Sequence, residues 1–185
     1  EIIKEIKSET SIEIEVITGE LEAEIIYENH IAELLDSDKS YLYIDVGGGS
    51  TELTLYHKSN IILQKSFNIG TVRILTKKVK DETWDEMKEI LKELSKKFEN
   101  IIGIGSGGNI NKLFSISGAK AGKSISYETL KDIYKEMEPL AIDERMKKYT
   151  IKEDRAEVIV PALTIYNAIC KWSNISEIHV PKIGL

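Results

Sequence analysis

The sequence has few of the side chains that build disulfides and zinc sites. Among its 185 residues are one cysteine, Cys170, and three histidines, His30, His57 and His179. A single cysteine excludes a disulfide within the chain and is typical of a reducing compartment, so we predict a cytoplasmic location. The histidines are scattered without the short spacing of a zinc site, and we assign them no role.

Long apolar runs and an excess of basic residues are also missing. No apolar run reaches the roughly 18 residues that a membrane-spanning helix needs. The formal net charge is -6, whereas proteins that bind duplex nucleic acid carry a basic surface. We therefore expect neither nucleic acid nor membrane as a partner. The hydrophobic content of 42% and the charged content of 30% are typical of a globular protein.

The most informative stretch is residues 41–56, YLYIDVGGGSTELTLY, in which two apolar segments flank three glycines and a hydroxyl pair. A tight hairpin there pairs Val46 with Thr51 and places Asp45 directly opposite Glu52. Such cross-strand neighbours have Cβ atoms about 5 Å apart, and like charges at that spacing repel. A hard cation such as Mg²⁺, which one or two carboxylates bind together with water and phosphate oxygens, removes the repulsion. We predict Asp45 and Glu52 as metal ligands.

The glycines between the two strands indicate a phosphate-binding loop. Glycine permits positive φ and has no Cβ, so successive backbone N–H groups can point at an anion. The alternative is a glycine-rich hairpin with two solvent-exposed acids and no ligand. Against it, Asp45 lies between Ile44 and Val46, where an unpaired buried carboxylate is costly. The predicted substrate-binding residues are Gly47, Gly48, Gly49, Ser50 and Thr51.

The rest of the chain alternates strands and helices. Residues 11–17 alternate like a half-buried strand, and a helix follows to about Leu35. After the hairpin come a third strand over 60–68 and a helix with Thr83 as its cap. A buried strand over 101–105 and a glycine-rich turn follow. We then expect a loop at 118–126, a helix interrupted near Pro139, a helical run over 149–172 and a last strand over 175–180. This order predicts an α/β ribonuclease H-like domain, a mixed sheet of three antiparallel strands extended by helix-linked strands.

Three further features have two interpretations each. Glu20 and Glu22 fall in the first turn of a predicted helix, where the helix dipole alone favours acids, so their spacing assigns no role. Arg73, near another helix start, could reach an anion or be a solvated surface residue. The turn at 106–109 is either an anion or nucleotide site at a helix N-terminus or a close-packed turn.

The sequence resembles the exopolyphosphatase and guanosine pentaphosphate phosphohydrolase family, within the superfamily of actin, sugar kinases and heat-shock chaperones. Residues 45–53, DVGGGSTEL, look like its second phosphate motif, and residues 13–27, EIEVITGELEAEIIY, look like the segment with its catalytic glutamate. Residues 103–109, GIGSGGN, resemble its later glycine motif, with Asn109 in place of threonine, and the run from Asp154 to Pro161 resembles its late helix. The resemblance implies that Glu22 is catalytic.

The resemblance also implies a domain arrangement. Family members have a first phosphate motif near their N-terminus, and no such stretch precedes Glu1. We therefore expect residues 1–38 to be the tail of a first ribonuclease H-like domain with a connecting helix. Residues 39–185 would be the second such domain, truncated at its C-terminus. The N-terminal domain of the parent chain is then an expected partner, and the 185 residues alone are not expected to turn over substrate. The oligomeric state does not follow from the sequence, and a homodimer is left open.

The function that the resemblance implies is Mg²⁺-dependent hydrolysis of terminal phosphoanhydride bonds of inorganic polyphosphate or guanosine pentaphosphate. Glu22 would activate the attacking water, and Mg²⁺ would be held through Asp45 and Glu52. Two alternatives stay open: an ATP-dependent kinase of the sugar or acetate type, and a non-catalytic sensor of polyphosphate or nucleotide. A kinase reacts only when a phosphoryl acceptor is present, whereas a sensor binds its ligand without turnover.

Overall fold

The chain divides into two compact units, residues 1–35 and 36–185. A computed structural model describes residues 6, 7, 9, 10, 12–15, 39–58, 60–120 and 122–181. In the first unit, residues 6, 7, 9 and 10 are helical. The predicted strand over 11–17 is wrong for residues 12–15, which have no regular structure. Ile12 and Ile14 are 57% and 41% exposed, and no described strand pairs with them, so alternation alone did not produce a strand.

The second unit contains a six-stranded mixed sheet with the order β3-β2-β1-β4-β6-β5. β1 pairs antiparallel with β2 on one side and parallel with β4 on the other, and β2 pairs antiparallel with β3. β4 and β6 are parallel, while β5 and β6 are antiparallel. The strands are β1 Ser40–Val46, β2 Thr51–His57, β3 Asn60–Phe67, β4 Ile102–Ser106, β5 Ser124–Ser126 and β6 Glu177–His179.

Six helices accompany the sheet in the described part of this unit. The longest, α6, contacts each of the other five. It can do so because ten of its 21 side chains are buried, including Ile159, Leu163 and Ile169. The helices are α1 Thr71–Leu75, α2 Asp81–Lys97, α3 Gly108–Ile116, α4 Tyr127–Met137, α5 Ile142–Tyr149 and α6 Glu153–Ser173.

β1 lies inside the sheet because its side chains suit a strand covered on one face by the core. Leu42 and Ile44 are fully buried and Val46 is 3% exposed, and all three belong to the hydrophobic core. Tyr43 and Asp45, which alternate with them, are half-buried on the other face. The core therefore holds β1 in register and leaves Asp45 on the accessible face of the sheet.

The predicted α/β mixed sheet is confirmed, but its far edge differs from the prediction. Residues 124–126 were expected in a loop and instead form the edge strand β5. The strand has only three residues, too few to give a periodic signal. The predicted helix near Pro139 is two helices, α4 and α5. The cap prediction at Thr83 is wrong, since α2 begins at Asp81 with Lys80 as its N-cap and no side-chain cap bond.

Among the described residues, no helix combines the length and apolar character needed to cross a bilayer.

Tyr166 on α6 is a buried polar side chain without a described partner. The residue is fully buried and its hydroxyl has no hydrogen-bond partner among the described residues. Burial raises the pKa of Tyr166 well above its ordinary value, and the nearby carboxylate of Asp45 raises it further. The phenol is therefore neutral at physiological pH.

We predict that Tyr166→Phe leaves the free energy of unfolding unchanged or raises it by up to about 1 kcal/mol, because an unpaired buried hydroxyl stabilises nothing. Urea denaturation measures this change. Tyr134→Phe is the matched control: its hydroxyl donates to Glu138 Oε1 at 2.6 Å, so the variant loses a bond. A loss above about 1 kcal/mol for Tyr166→Phe would contradict the prediction, because it indicates a bonded hydroxyl.

Candidate active site

Two acids face each other at the centre of the sheet, as the hairpin spacing predicts. Val46 pairs with Thr51 and Asp45 pairs with Glu52 in the antiparallel ladder of β1 and β2. On its other side Asp45 is in register with Ser106 of β4, and Glu52 is in register with Ser66 of β3. Partners in register project to the same face of a sheet, so these four side chains form one polar row across it.

The Glu52 carboxylate is held by two serine hydroxyls. Ser50 Oγ donates to Glu52 Oε1 at 2.6 Å, and Ser66 Oγ donates to the same oxygen at 3.0 Å. Both bonds end on one oxygen, so the carboxylate is oriented while Oε2 is left to other partners. At the other end of the row, the Tyr43 hydroxyl donates to Ser106 Oγ at 2.5 Å.

The carbonyl groups of the glycine loop are bonded to the segment that opens α1. Thr71 N donates to Gly47 O at 3.0 Å, and Val72 N donates to Gly48 O at 2.9 Å. The Arg73 side chain completes the series, since its Nε donates to Gly49 O at 2.6 Å. Three successive carbonyl oxygens therefore point towards α1, which carries Arg73. We call this common direction of the carbonyl groups the polarity of the loop.

The amide groups of the same loop point elsewhere. Gly47 N donates across the hairpin to Ser50 O at 2.9 Å. The next three N–H groups, those of Gly48, Gly49 and Ser50, have no backbone acceptor among the described residues. Gly48 and Gly49 are exposed. Consecutive N–H groups without a backbone acceptor can point together at an anion.

The close approach between the loop and α1 depends on a glycine outside the loop. None of Gly47, Gly48 and Gly49 has φ between +20° and +160°, so the loop does not use the positive φ that glycine permits. The tightest approach is made by Gly70, before α1. A Cβ on Gly70 would lie 2.4 Å from Gly48 O and 2.5 Å from the carbonyl carbon of Gly49. Glycine at position 70 is therefore what allows α1 to contact the loop carbonyls.

The second glycine-rich turn lies next to Asp45, on the β4 side. Gly107 has φ +90°, and a Cβ there would lie 3.0 Å from Asp45 Oδ1. Asn109 Nδ2 donates to Val46 O at 3.1 Å, and Arg155 Nη1 donates to Asn109 Oδ1 at 2.6 Å. Asn109 thus connects the end of β1 to the first turn of α6. The end of β1, from which the glycine loop starts, is held from both sides.

Most of the predicted site residues lie together at this end of the sheet, with two qualifications. Glu22 lies outside the described residues. The Thr51 hydroxyl is buried and donates to Ile69 O at 2.6 Å, so its side chain holds the hairpin in place.

Sequence reasoning missed Ser66, which has no motif around it. It noted Arg73, Asn109 and Arg155 but did not find their contacts.

The oxygen ligands at this site fit a hard cation that keeps most of its bound water molecules. Among the described residues no cluster of three or more histidine, cysteine, aspartate or glutamate side chains could hold a metal ion. Two facing carboxylates match the usual coordination of Mg²⁺, which takes one or two carboxylates and completes its shell with water and phosphate oxygens.

We predict that Gly70→Ala lowers the free energy of unfolding by about 1–3 kcal/mol, the usual cost of overpacking, because its Cβ meets backbone atoms that cannot move alone. Gly49→Ala is the matched control, since a Cβ at Gly49 meets nothing within 4 Å. Thermal and urea denaturation compare the two variants. A Gly70→Ala variant as stable as the wild type would contradict the described contact between loop and helix.

We predict that Asn109→Ala lowers the free energy of unfolding by about 1–3 kcal/mol, because it leaves the Val46 carbonyl and the Arg155 guanidinium without this partner. Asn111→Ala, an exposed position on the same helix, controls for helix propensity. Urea denaturation of both variants is the measurement, and equal effects would contradict a bridging role for Asn109.

The chain is similar to proteins of one phosphatase family. The family model described as the Ppx/GppA phosphatase family matches residues 1–185. A guanosine-5'-triphosphate,3'-diphosphate pyrophosphatase of Pseudoalteromonas translucida is 27% identical over an alignment that covers 93% of this chain and 36% of that protein. Exopolyphosphatase 2 of Mycobacterium tuberculosis is 38% identical over 60 residues, 32% of this chain and 18% of that protein.

A solved structure shows the same fold over a longer chain. The Ppx/GppA family member of Aquifex aeolicus superposes with a TM-score of 0.72 at 26% identity, covering 98% of this chain and 64% of that one. This chain thus spans less than two thirds of these relatives. Because the family model matches it from end to end, the chain belongs to the Ppx/GppA phosphatase family.

Proposed function

We propose that the complete protein hydrolyses terminal phosphoanhydride bonds of inorganic polyphosphate or guanosine pentaphosphate. The observation that carries this proposal is the polarity of the loop at 47–50. The carbonyl groups of Gly47, Gly48 and Gly49 are bonded towards α1 and Arg73, and the N–H groups of Gly48, Gly49 and Ser50 have no described backbone acceptor. A terminal phosphoryl group is an anion of the size and charge that such a loop binds.

The phosphoryl group is bound in this proposal by backbone donors rather than by lysine side chains. Gly49 supports this placement, because the space beyond its Cα is open: a Cβ there meets no atom within 4 Å. Ser50 contributes its N–H group and its hydroxyl. Thr51 acts indirectly, by bonding Ile69 and holding the start of β2.

Asp45 and Glu52 are the proposed Mg²⁺ ligands beside this loop. Their facing positions and the orientation of Glu52 by two hydroxyls support the assignment. Mg²⁺ held by these carboxylates would supply positive charge next to the phosphate oxygens, and this charge would lower the barrier to phosphoryl transfer. What the protein supplies is the placement of the two carboxylates on directly opposite residues, whose Cβ atoms are about 5 Å apart, at the edge of the loop.

Glu22 is the proposed general base, which orients a water molecule and accepts its proton as the water attacks the terminal phosphorus. The resemblance of residues 13–27 to the catalytic segment of the family supports this role. Phosphoryl transfer needs little covalent chemistry from the protein, so positioning and charge stabilisation provide most of the rate enhancement. We assign the activity to the complete protein, with the N-terminal domain as the partner that completes the site.

The expected result for Glu22→Gln is a loss of turnover of about 10²–10⁴-fold, the usual contribution of a general base. Substrate binding should be unchanged within about threefold, because the amide keeps the size of the side chain. The measurement is phosphate release from polyphosphate and from guanosine pentaphosphate by the complete protein, with Mg²⁺ and without a phosphoryl acceptor.

Glu20→Gln is the matched control, since it removes a carboxylate from the same segment without touching the proposed base. Retention of turnover within about threefold in Glu22→Gln would contradict the assignment of the base. If the wild-type protein released phosphate only when an acceptor was present, it would act as a kinase. Binding of polyphosphate without turnover by the wild type would identify a sensor.

A further inference from the structure

Ser66 lies outside the glycine loop, yet its hydroxyl bonds the same atom as the hydroxyl of Ser50. Both side chains donate to Glu52 Oε1, at 3.0 Å from Ser66 and 2.6 Å from Ser50. Ser66 is on β3, one of the two edge strands of the sheet, directly opposite Glu52 in the ladder. One hydroxyl donor is enough to orient the Glu52 carboxylate when no ligand is bound, so the second donor is more than the unliganded site needs.

The two serines differ in what else they can contact. Ser50 ends the loop whose N–H groups at 48–50 have no described backbone acceptor, so its hydroxyl lies beside the proposed phosphate position. Ser66 is not part of that loop: it lies on β3, and its described side-chain bond is the one to Glu52 Oε1. A serine hydroxyl has one proton to donate. When Ser50 donates this proton to a phosphate oxygen, it can no longer donate it to Glu52.

We propose that Ser66 is a positioning residue, which holds Glu52 in place when the hydroxyl of Ser50 turns to a bound phosphate. This inference rests on the proposed function, because it assumes a phosphoryl group on the loop and a divalent cation at Asp45 and Glu52. The ligand that it concerns is a phosphoryl group bound together with that cation.

The consequence is a coupling between phosphate and cation. Without phosphate, Glu52 is held by Ser50 whether or not Ser66 is present. With phosphate bound, Glu52 depends on Ser66, and without it the carboxylate is free to rotate away from the like charge of Asp45. Removal of Ser66 should therefore weaken cation binding only in the presence of phosphate.

Titration calorimetry of the complete protein tests this with Mg²⁺ alone and with Mg²⁺ at a saturating concentration of inorganic phosphate. For Ser66→Ala, we expect the Kd for Mg²⁺ to stay within about twofold without phosphate. With phosphate, it should rise about tenfold, as the loss of a hydrogen bond to a charged group produces. Ser66→Thr, which keeps a hydroxyl on the strand, should restore the wild-type values.

Ser95→Ala is the matched control, because Ser95 is a serine on α2 whose hydroxyl bonds only the Lys92 carbonyl among the described residues. Its Mg²⁺ affinity should be unchanged in both conditions, and melting temperatures check that every variant is folded. Ser50→Ala should weaken phosphate binding while leaving Mg²⁺ binding without phosphate within about twofold, because Ser66 still holds Glu52.

Two results would overturn the inference about Ser66 and leave the proposed function in place. One is a Ser66→Ala variant that loses Mg²⁺ affinity equally with and without phosphate, which makes Ser66 a constant support of Glu52. The other is a variant that binds like the wild type in both conditions. A wild-type protein that binds neither phosphate nor Mg²⁺ would instead remove the proposed function, and the role of Ser66 with it.

Discussion

The hydrogen bonds between the glycine loop and the start of α1 determine how the rest of the site can work. Peptide C=O and N–H groups point in nearly opposite directions, so bonding the carbonyls of Gly47, Gly48 and Gly49 on one side turns the following amides to the other. The Arg73 guanidinium strengthens this orientation because a charged donor makes the stronger hydrogen bond. Gly70 makes the contact possible, since any side chain there would overlap the loop backbone.

The polar row beside the loop has an energetic cost that its neighbours reduce. Asp45 and Glu52 face each other as like charges, and repulsion at that spacing destabilises a sheet. The two hydroxyl bonds to Glu52 Oε1 offset part of this cost. On the core side, Ile44 and Val46 hold Asp45 in place through burial of the strand on which it sits. A ligand that brings positive charge between the acids relieves the remaining repulsion.

Much of the hairpin could be predicted from the sequence because short-range geometry determines it. With Gly48 and Gly49 at the turn, the register of β1 and β2 follows, and so does the facing of Asp45 and Glu52. Ser66 could not be placed in the same way. The β2–β3 ladder shifts register between Leu55 and Tyr56, and such an irregularity leaves no clear signal in a sequence. The bond between Asn109 and Arg155 joins two helices through residues that are 46 positions apart in the sequence, so only the packed structure reveals it.

An acidic chain can bind a polyanion if its positive potential is local. The net charge is -6, and a surface of that sign repels phosphate at long range. Backbone amides avoid the problem, because their partial charges act within a few ångströms and do not depend on the number of lysines. Of the two arginines near the loop, Arg73 reaches its carbonyl side and Arg155 reaches the end of β1 through Asn109. Both increase the local positive potential without occupying the open space at Gly49, which is the proposed phosphoryl position.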